Sequence, residues 1–226
     1  MPSDAADGVP FAAADLKFIS LMDCTAAGDY RWLELDREGS LHFLRAGSSL
    51  RLFKVQRENV PITSREPLFG QIEAVGFFRL NSIYQLRPEP GEEVEHRYYA
   101  LTAGSERVHT VVAHEYAMPD GLQRLITSLQ RLGSSSPSEP PSNSYLMAVP
   151  AAMLVCLGED ARPVDPEAMD QSLAGYLQRA ARPRGHSIEV PPAVLPDLKE
   201  RVFAAHNVVR LLGGDDLALV LFENPR

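Results

Sequence analysis

The chain has 226 residues, 45% of them apolar and 23% charged, which excludes a wholly disordered polymer and leaves room for one domain or two small ones. Its net charge of -8 argues against sequence-independent nucleic-acid binding, which needs a basic surface to displace counterions. Cys24 and Cys156 are the only cysteines, so a multi-disulfide scaffold is excluded too.

The N-terminal stretch carries Asp4, Asp7 and Asp15 before the first basic residue, Lys17, unlike a secretory leader with its basic start and apolar run. The apolar run from Leu146 to Leu157 is interrupted by Pro150 and falls short of the roughly 20 residues that cross a bilayer. The expectation is a soluble, cytoplasmic protein with no membrane partner.

In chain order, Tyr30–Asp36 and Ser40–Leu44 flank Arg37-Glu38-Gly39 and predict a β-hairpin, with glycine supplying a positive φ in the turn. Leu50–Val55 predicts a third strand. Glu66-Pro67 opens a predicted helix with Leu68, Ile72 and Val75 on one face, ended by Gly76. A second hairpin pairs Glu95–Thr102 with Arg107–His114. Pro119 then starts a helix with Leu122, Leu125, Ile126, Leu129 and Leu132 on one side, stopped by Gly133.

From Gly133 to Ser144 the composition turns to Ser and Pro, which favours extended, solvated backbone. Residues 134–144 therefore read as a linker between an N-terminal α+β unit, 1–133, and a smaller C-terminal α+β unit, 145–226. A unit that small either stands on its own or docks on the first. Beyond the linker, Tyr145–Leu157 is a buried strand or a short helix. Asp165 is an N-cap followed by Pro166, and Met169, Leu173, Tyr176, Leu177 and Ala180 form a helical stripe. His186–Val190 is a strand, Leu195–His206 a helix and Leu217–Phe222 a buried final strand. The alternation of strands and helices predicts α+β architecture with antiparallel sheets, each packed on one or two helices.

Phosphate-binding glycine loops, a nucleophile elbow and paired metal-ligand motifs are missing from the sequence, so no cofactor is implied. Cys24 is a candidate nucleophile if folding brings a histidine close; a buried or loop cysteine is the plainer reading, and both cysteines read as free thiols. In the second hairpin His96 and His114 share a face and are candidate metal ligands, against the plainer reading of a solvated hairpin end. The loop containing Arg87, Glu89, Glu92 and Glu93, together with the hairpin face, forms the default contact surface.

The N-terminal unit carries Cys24, Tyr30, Leu35-Asp36, Gly39 and Phe43, then Gly76-Phe77-Phe78-Arg79-Leu80, Tyr84, Tyr99–Thr102, Arg107–Val111, Pro119 and the leucine-rich helix. In this order it resembles a bacterial domain family of unknown function, and its element order is similar to metallopeptidase inhibitors of the emfourin kind. The resemblance covers about 110 residues and implies an interaction role with no catalytic residues to carry over. It lacks the family's second cysteine near Gly28, which would remove a disulfide and suit a reducing compartment, and a Thr-Asp pair between Arg87 and Arg97. The expectation is thus a non-enzymatic interaction or regulatory protein with an unidentified protein partner. The alternatives are a peptidase inhibitor, an immunity-type partner and an enzyme using Cys24. The oligomeric state is left open.

Overall fold

Phe18–Thr25 forms β1, a strand in which seven successive residues are buried, as happens only when both faces of a sheet are covered. The structure, a computed structural model, describes residues 15–25, 27–86, 97–105, 108–133, 139–157, 161–181, 186–204, 207–212 and 216–225. β1 went unread in the sequence because it has no apolar–polar alternation. It sits at the middle of a seven-stranded sheet with β2 (Tyr30–Asp36), β3 (Ser40–Ala46), β4 (Leu52–Asn59), β5 (Ile83–Tyr84), β6 (Arg97–Gly104) and β7 (Val108–His114). The strand order is β4-β3-β2-β1-β6-β7-β5.

Both expected hairpins form. In the first, the Asp36 carboxylate accepts the backbone N–H groups of Gly39 and Ser40, each at 2.7 Å. Gly39 has φ 107, and a Cβ there would lie 2.7 Å from the Val60 carbonyl oxygen. Only glycine fits that corner. The second hairpin pairs Tyr98 with His114 and Gly104 with Val108.

Two helices cover one face of this sheet, α1 (Ile62–Ala74) and α2 (Asp120–Leu132). α1 starts a turn earlier than Glu66-Pro67 suggested, so that Pro67 lies inside it. Leu68, Phe69 and Ile72 of α1 and Leu122, Leu125, Ile126 and Leu129 of α2 bury against the odd-numbered residues of β1, β2, β3, β6 and β7.

The second unit forms a five-stranded sheet from β8 (Ser144–Pro150), β9 (Arg162–Val164), β10 (Ser187–Val190), β11 (Val208–Leu211) and β12 (Leu217–Phe222), in the order β10-β8-β12-β11-β9. The short helix α3 (Leu154–Leu157) follows β8. On the outer face lie α4 (Gln171–Ala180), capped by Asp170, and α5 (Leu195–Asp197), which runs into a π-helical segment, Leu198–Phe203. Asp165 caps only a 3-10 turn, Pro166–Ala168. The architecture is α+β. Most strand pairs are antiparallel, but β5–β7 and β9–β11, at the sheet edges, are parallel, so the sheets are mixed and not wholly antiparallel as expected.

The inner faces of the two sheets share a single core. Met22, Trp32, Leu44 and Tyr98 of the first sheet meet Tyr145, Met147, Val220 and Phe222 of the second. The order is helices, sheet, sheet, helices: four layers with three buried seams. Backbone joins the sheets at one corner as well. Val55 and Glu139 exchange hydrogen bonds of 3.1 and 2.9 Å, and Leu52 donates to Glu223 at 2.9 Å, which blunts the open edge of β4.

This stacking overturns two expectations. Among the described residues the β6–β7 hairpin offers no open face, because β6 is buried from Tyr98 to Gly104 and β7 from Thr110 to His114, with Arg97, Val108 and His109 half-buried. The cysteines are not free thiols. β1 directs Cys24 into the shared core, α3 brings Cys156 there from the second unit, and the two form a disulfide with Cα atoms 6.3 Å apart. Linear sequence could not show that neighbourhood, because the two residues are 132 positions apart.

Candidate binding pocket

The odd-numbered face of the first sheet carries two adjacent rungs of different chemistry. Cross-strand register aligns Asp23 with Arg31, Arg31 with Arg45, and Arg45 with Lys54. One step along the strands it aligns Leu21 with Leu33, and Leu33 with Phe43. A charged rung thus runs beside an apolar one, about 7 Å apart, since same-face neighbours are two residues apart along a strand. α2 ends over this region, with Gln130 and Gly133 on the rim, and leaves a pocket of about 190 Å³. Gly133 permits the close approach: a Cβ there would lie 2.7 Å from the Phe43 ring.

At one end of the charged rung Asp23 is almost fully buried. Arg97 grips it through Nε at 2.9 Å and Nη2 at 2.6 Å, and the Gln130 side chain donates to it at 2.8 Å. The Asp23 carboxylate raises the pKa of Arg97 further above its ordinary value. Arg31 and Arg45 are like charges placed directly opposite, an arrangement that repels unless a counter-charge intervenes. Asp29 supplies it, accepting from Arg31 Nη2 at 2.9 Å and from Arg45 Nε at 3.2 Å. Burial pushes the Asp29 carboxyl up, but hydrogen bonds from Arg45 and Arg31 outweigh that and leave it below the usual carboxylate range. The Lys54 ammonium rests over the Phe43 ring, 5.5 Å from its centre, and has no carboxylate partner among the described residues. Beside it Phe53 is 52% exposed, with the Arg45 guanidinium 5.2 Å from its ring centre.

A second polar cluster lies where β10 meets β2 and β3. His186 bonds Glu34, Ser187 Oγ lies 3.4 Å from His42 Nδ1, and Arg57 donates to the Tyr145 hydroxyl at 3.0 Å. Burial, then the nearby Arg57 charge, lowers the His42 pKa to about 4. Its Nε2 is buried without a partner, so no carboxylate orients the ring as nucleophile activation by a serine–histidine pair requires. This cluster reads as a polar seam between the sheets.

The residues singled out in the sequence fall elsewhere. Cys24 is sealed in the disulfide, so attack by its thiolate would first need reduction. His114 is fully buried, with its ring 4.9 Å from that of Tyr98, where a solvated hairpin end was expected. His96 and the loop residues Arg87, Glu89, Glu92 and Glu93 lie outside the described residues. Among the described residues no three His, Cys, Asp or Glu side chains group as a metal site, and no helix is long and apolar enough to cross a membrane.

Sequence reasoning missed Asp23, Arg31, Arg45, Lys54, Phe53 and Gln130. One signal for them was present: the first hairpin, read in its correct register, already sets Arg31 against Arg45. Compared with protein-family models, curated proteins and solved structures, the chain matches none.

Proposed function

We propose that the chain is a non-enzymatic interaction protein whose partner docks on the β4 side of the first sheet, around Phe53. The observation that carries this reading is the exposed Phe53 ring with Arg45 stacked on it and Lys54 next to it in β4. Exposed aromatic and arginine side chains in contact are the residue types that dominate binding hot spots. The patch is basic on a chain whose net charge is -8, so an acidic partner face complements it. A basic toxin, the immunity-type alternative, would not fit this edge.

The Cys24–Cys156 bond supports an oxidising compartment as the place of action, in preference to the cytoplasm expected from sequence, because structural disulfides persist mainly outside reducing cytosol.

Quantitative capture from the source cell with the wild-type chain and with the double variant Phe53→Ala/Arg45→Glu tests the reading. Both positions are at least partly exposed, so the unfolding temperature should hardly move. A protein retained by wild type and lost by the variant is the expected result. Identical capture by both contradicts it.

A further inference from the structure

We propose that the pocket under the end of α2 is a binding site for a small apolar carboxylate, a single negative charge attached to a branched or aromatic hydrocarbon body. The pocket shares Arg45 and Lys54 with the proposed partner patch but not Phe53, so Phe53→Ala separates the two readings.

Four observations support the site, and a fifth narrows its ligand. Arg31, Arg45 and Lys54 line the pocket with Asp23 as the one carboxylate in its wall; Arg97 already offsets Asp23, and Asp29 is shared between Arg31 and Arg45, so the wall holds excess positive charge on an acidic protein. Lys54 is the member of that set with no carboxylate of its own among the described residues. Next to the charged rung lies a floor of Leu21, Leu33 and Phe43, which rewards an apolar body about 7 Å from the charge. The room available, about 190 Å³, is that of a ring or a branched chain, since a cavity of about 150 Å³ admits benzene. The carbonyl end of α2 faces the same space and carries the negative pole of the helix dipole. That pole opposes any anion, and a phosphate dianion more than a carboxylate, so the lysine and arginine side chains must outweigh it.

In the bound state the carboxylate oxygens accept hydrogen bonds from Lys54 and Arg45 while the body covers Leu21, Leu33 and Phe43. Such a ligand is either a free acid or the last residue of a peptide with an apolar side chain and a free α-carboxylate. Both present the same chemistry.

Calorimetric titration of the full chain tests this with phenylacetate, phenylacetamide and acetate, and with a tetrapeptide ending in Phe as its free acid and as its amide. Phenylacetate or the acid peptide should bind, and the tighter of the two identifies the source. The corresponding amide, and acetate, which lacks the body, should each bind at least about tenfold more weakly. Lys54→Gln should weaken the acid by about the same factor without moving the unfolding temperature, and Phe53→Ala should leave acid binding in place. Equal affinity for acid and amide, or no binding of either acid at millimolar concentration, overturns the proposal.

Discussion

Arg31 and Arg45 face each other across the β2–β3 hairpin, and both guanidinium groups reach the one carboxylate of Asp29. Asp29 therefore does two things at once: it relieves a like-charge pair and competes with any anion that enters the pocket. Asp29→Asn should cost little stability, at most about 1 kcal/mol for so exposed a pairing. It should also raise the affinity for phenylacetate several-fold. Urea unfolding and calorimetric titration of the variant check the two effects separately.

Asp23 is the opposite case. It is 2% exposed and takes three hydrogen bonds, two from Arg97 and one from Gln130. Arg97 is partly exposed, so the costly loss is the one that leaves the buried carboxylate uncompensated. Arg97→Met should lower the stability by about 3 kcal/mol in urea unfolding, while Arg97→Met together with Asp23→Leu should recover part of that loss. A single variant as stable as wild type would show that this pair is not buried as described.

The disulfide ties the two sheets across 132 residues of sequence. Closing so long a loop restricts the unfolded chain, by an amount worth about 5 kcal/mol on loop entropy alone. The double variant Cys24→Ser/Cys156→Ser should therefore unfold at markedly lower urea concentration than the oxidised protein. Native thiol labelling should find no reactive sulfur before reduction. Rapid labelling of both cysteines in the untreated protein would place the sulfurs apart.

His42 makes stability fall on mild acidification. Its pKa drops from 6.5 to about 4 because burial, then Arg57, disfavours the imidazolium. Above pH 6.5 the ring is neutral whether the chain is folded or not. Between pH 6.5 and 4 the unfolded chain takes up a proton that the folded one refuses, so unfolding gains by up to about 3 kcal/mol. The charged and titratable groups around it are Glu34, Asp36, Arg57, Tyr145, His186 and Glu189. Asp29 and Glu223, whose carboxyl pKa values lie below the usual range, begin to lose their contribution only as pH falls past their ordinary values of 3.8 and 4.5, at the acid end of this window. Stability measured against pH in wild type and His42→Gln should differ in slope within the window from pH 6.5 to 4.

Local patterns made part of this fold legible. The β2–β3 hairpin, the leucine face of α2 and the buried final strand β12 follow from alternation, helical spacing and turn residues that act over a few positions. β1 did not show itself, because a strand covered on both faces has no period to detect. With β1 unseen, nothing located Cys24 in the shared core, and the stacking of the sheets could not be anticipated. Local patterns alone therefore leave the cysteines as free thiols and the second hairpin as an open surface.

The pocket was half legible. Arg31 against Arg45 follows from the hairpin register alone. Extending the rung to Asp23 needs β1, and extending it to Lys54 needs the register of β4 beside the irregularity at Arg45 and Ala46. Gln130 and Gly133 join only when α2 is laid across the sheet.

The most direct measurement of where this protein binds is nuclear magnetic resonance mapping of a phenylacetate titration on the isotope-labelled full chain. The expected result is saturable shifts in the methyl, ring and side-chain amide signals of Leu21, Leu33, Phe43 and Gln130, with His42, Ser187 and Tyr145 at the polar seam unmoved. Saturable shifts at the seam instead, or none anywhere at millimolar ligand, would contradict the assignment of the pocket beneath α2 as the binding site.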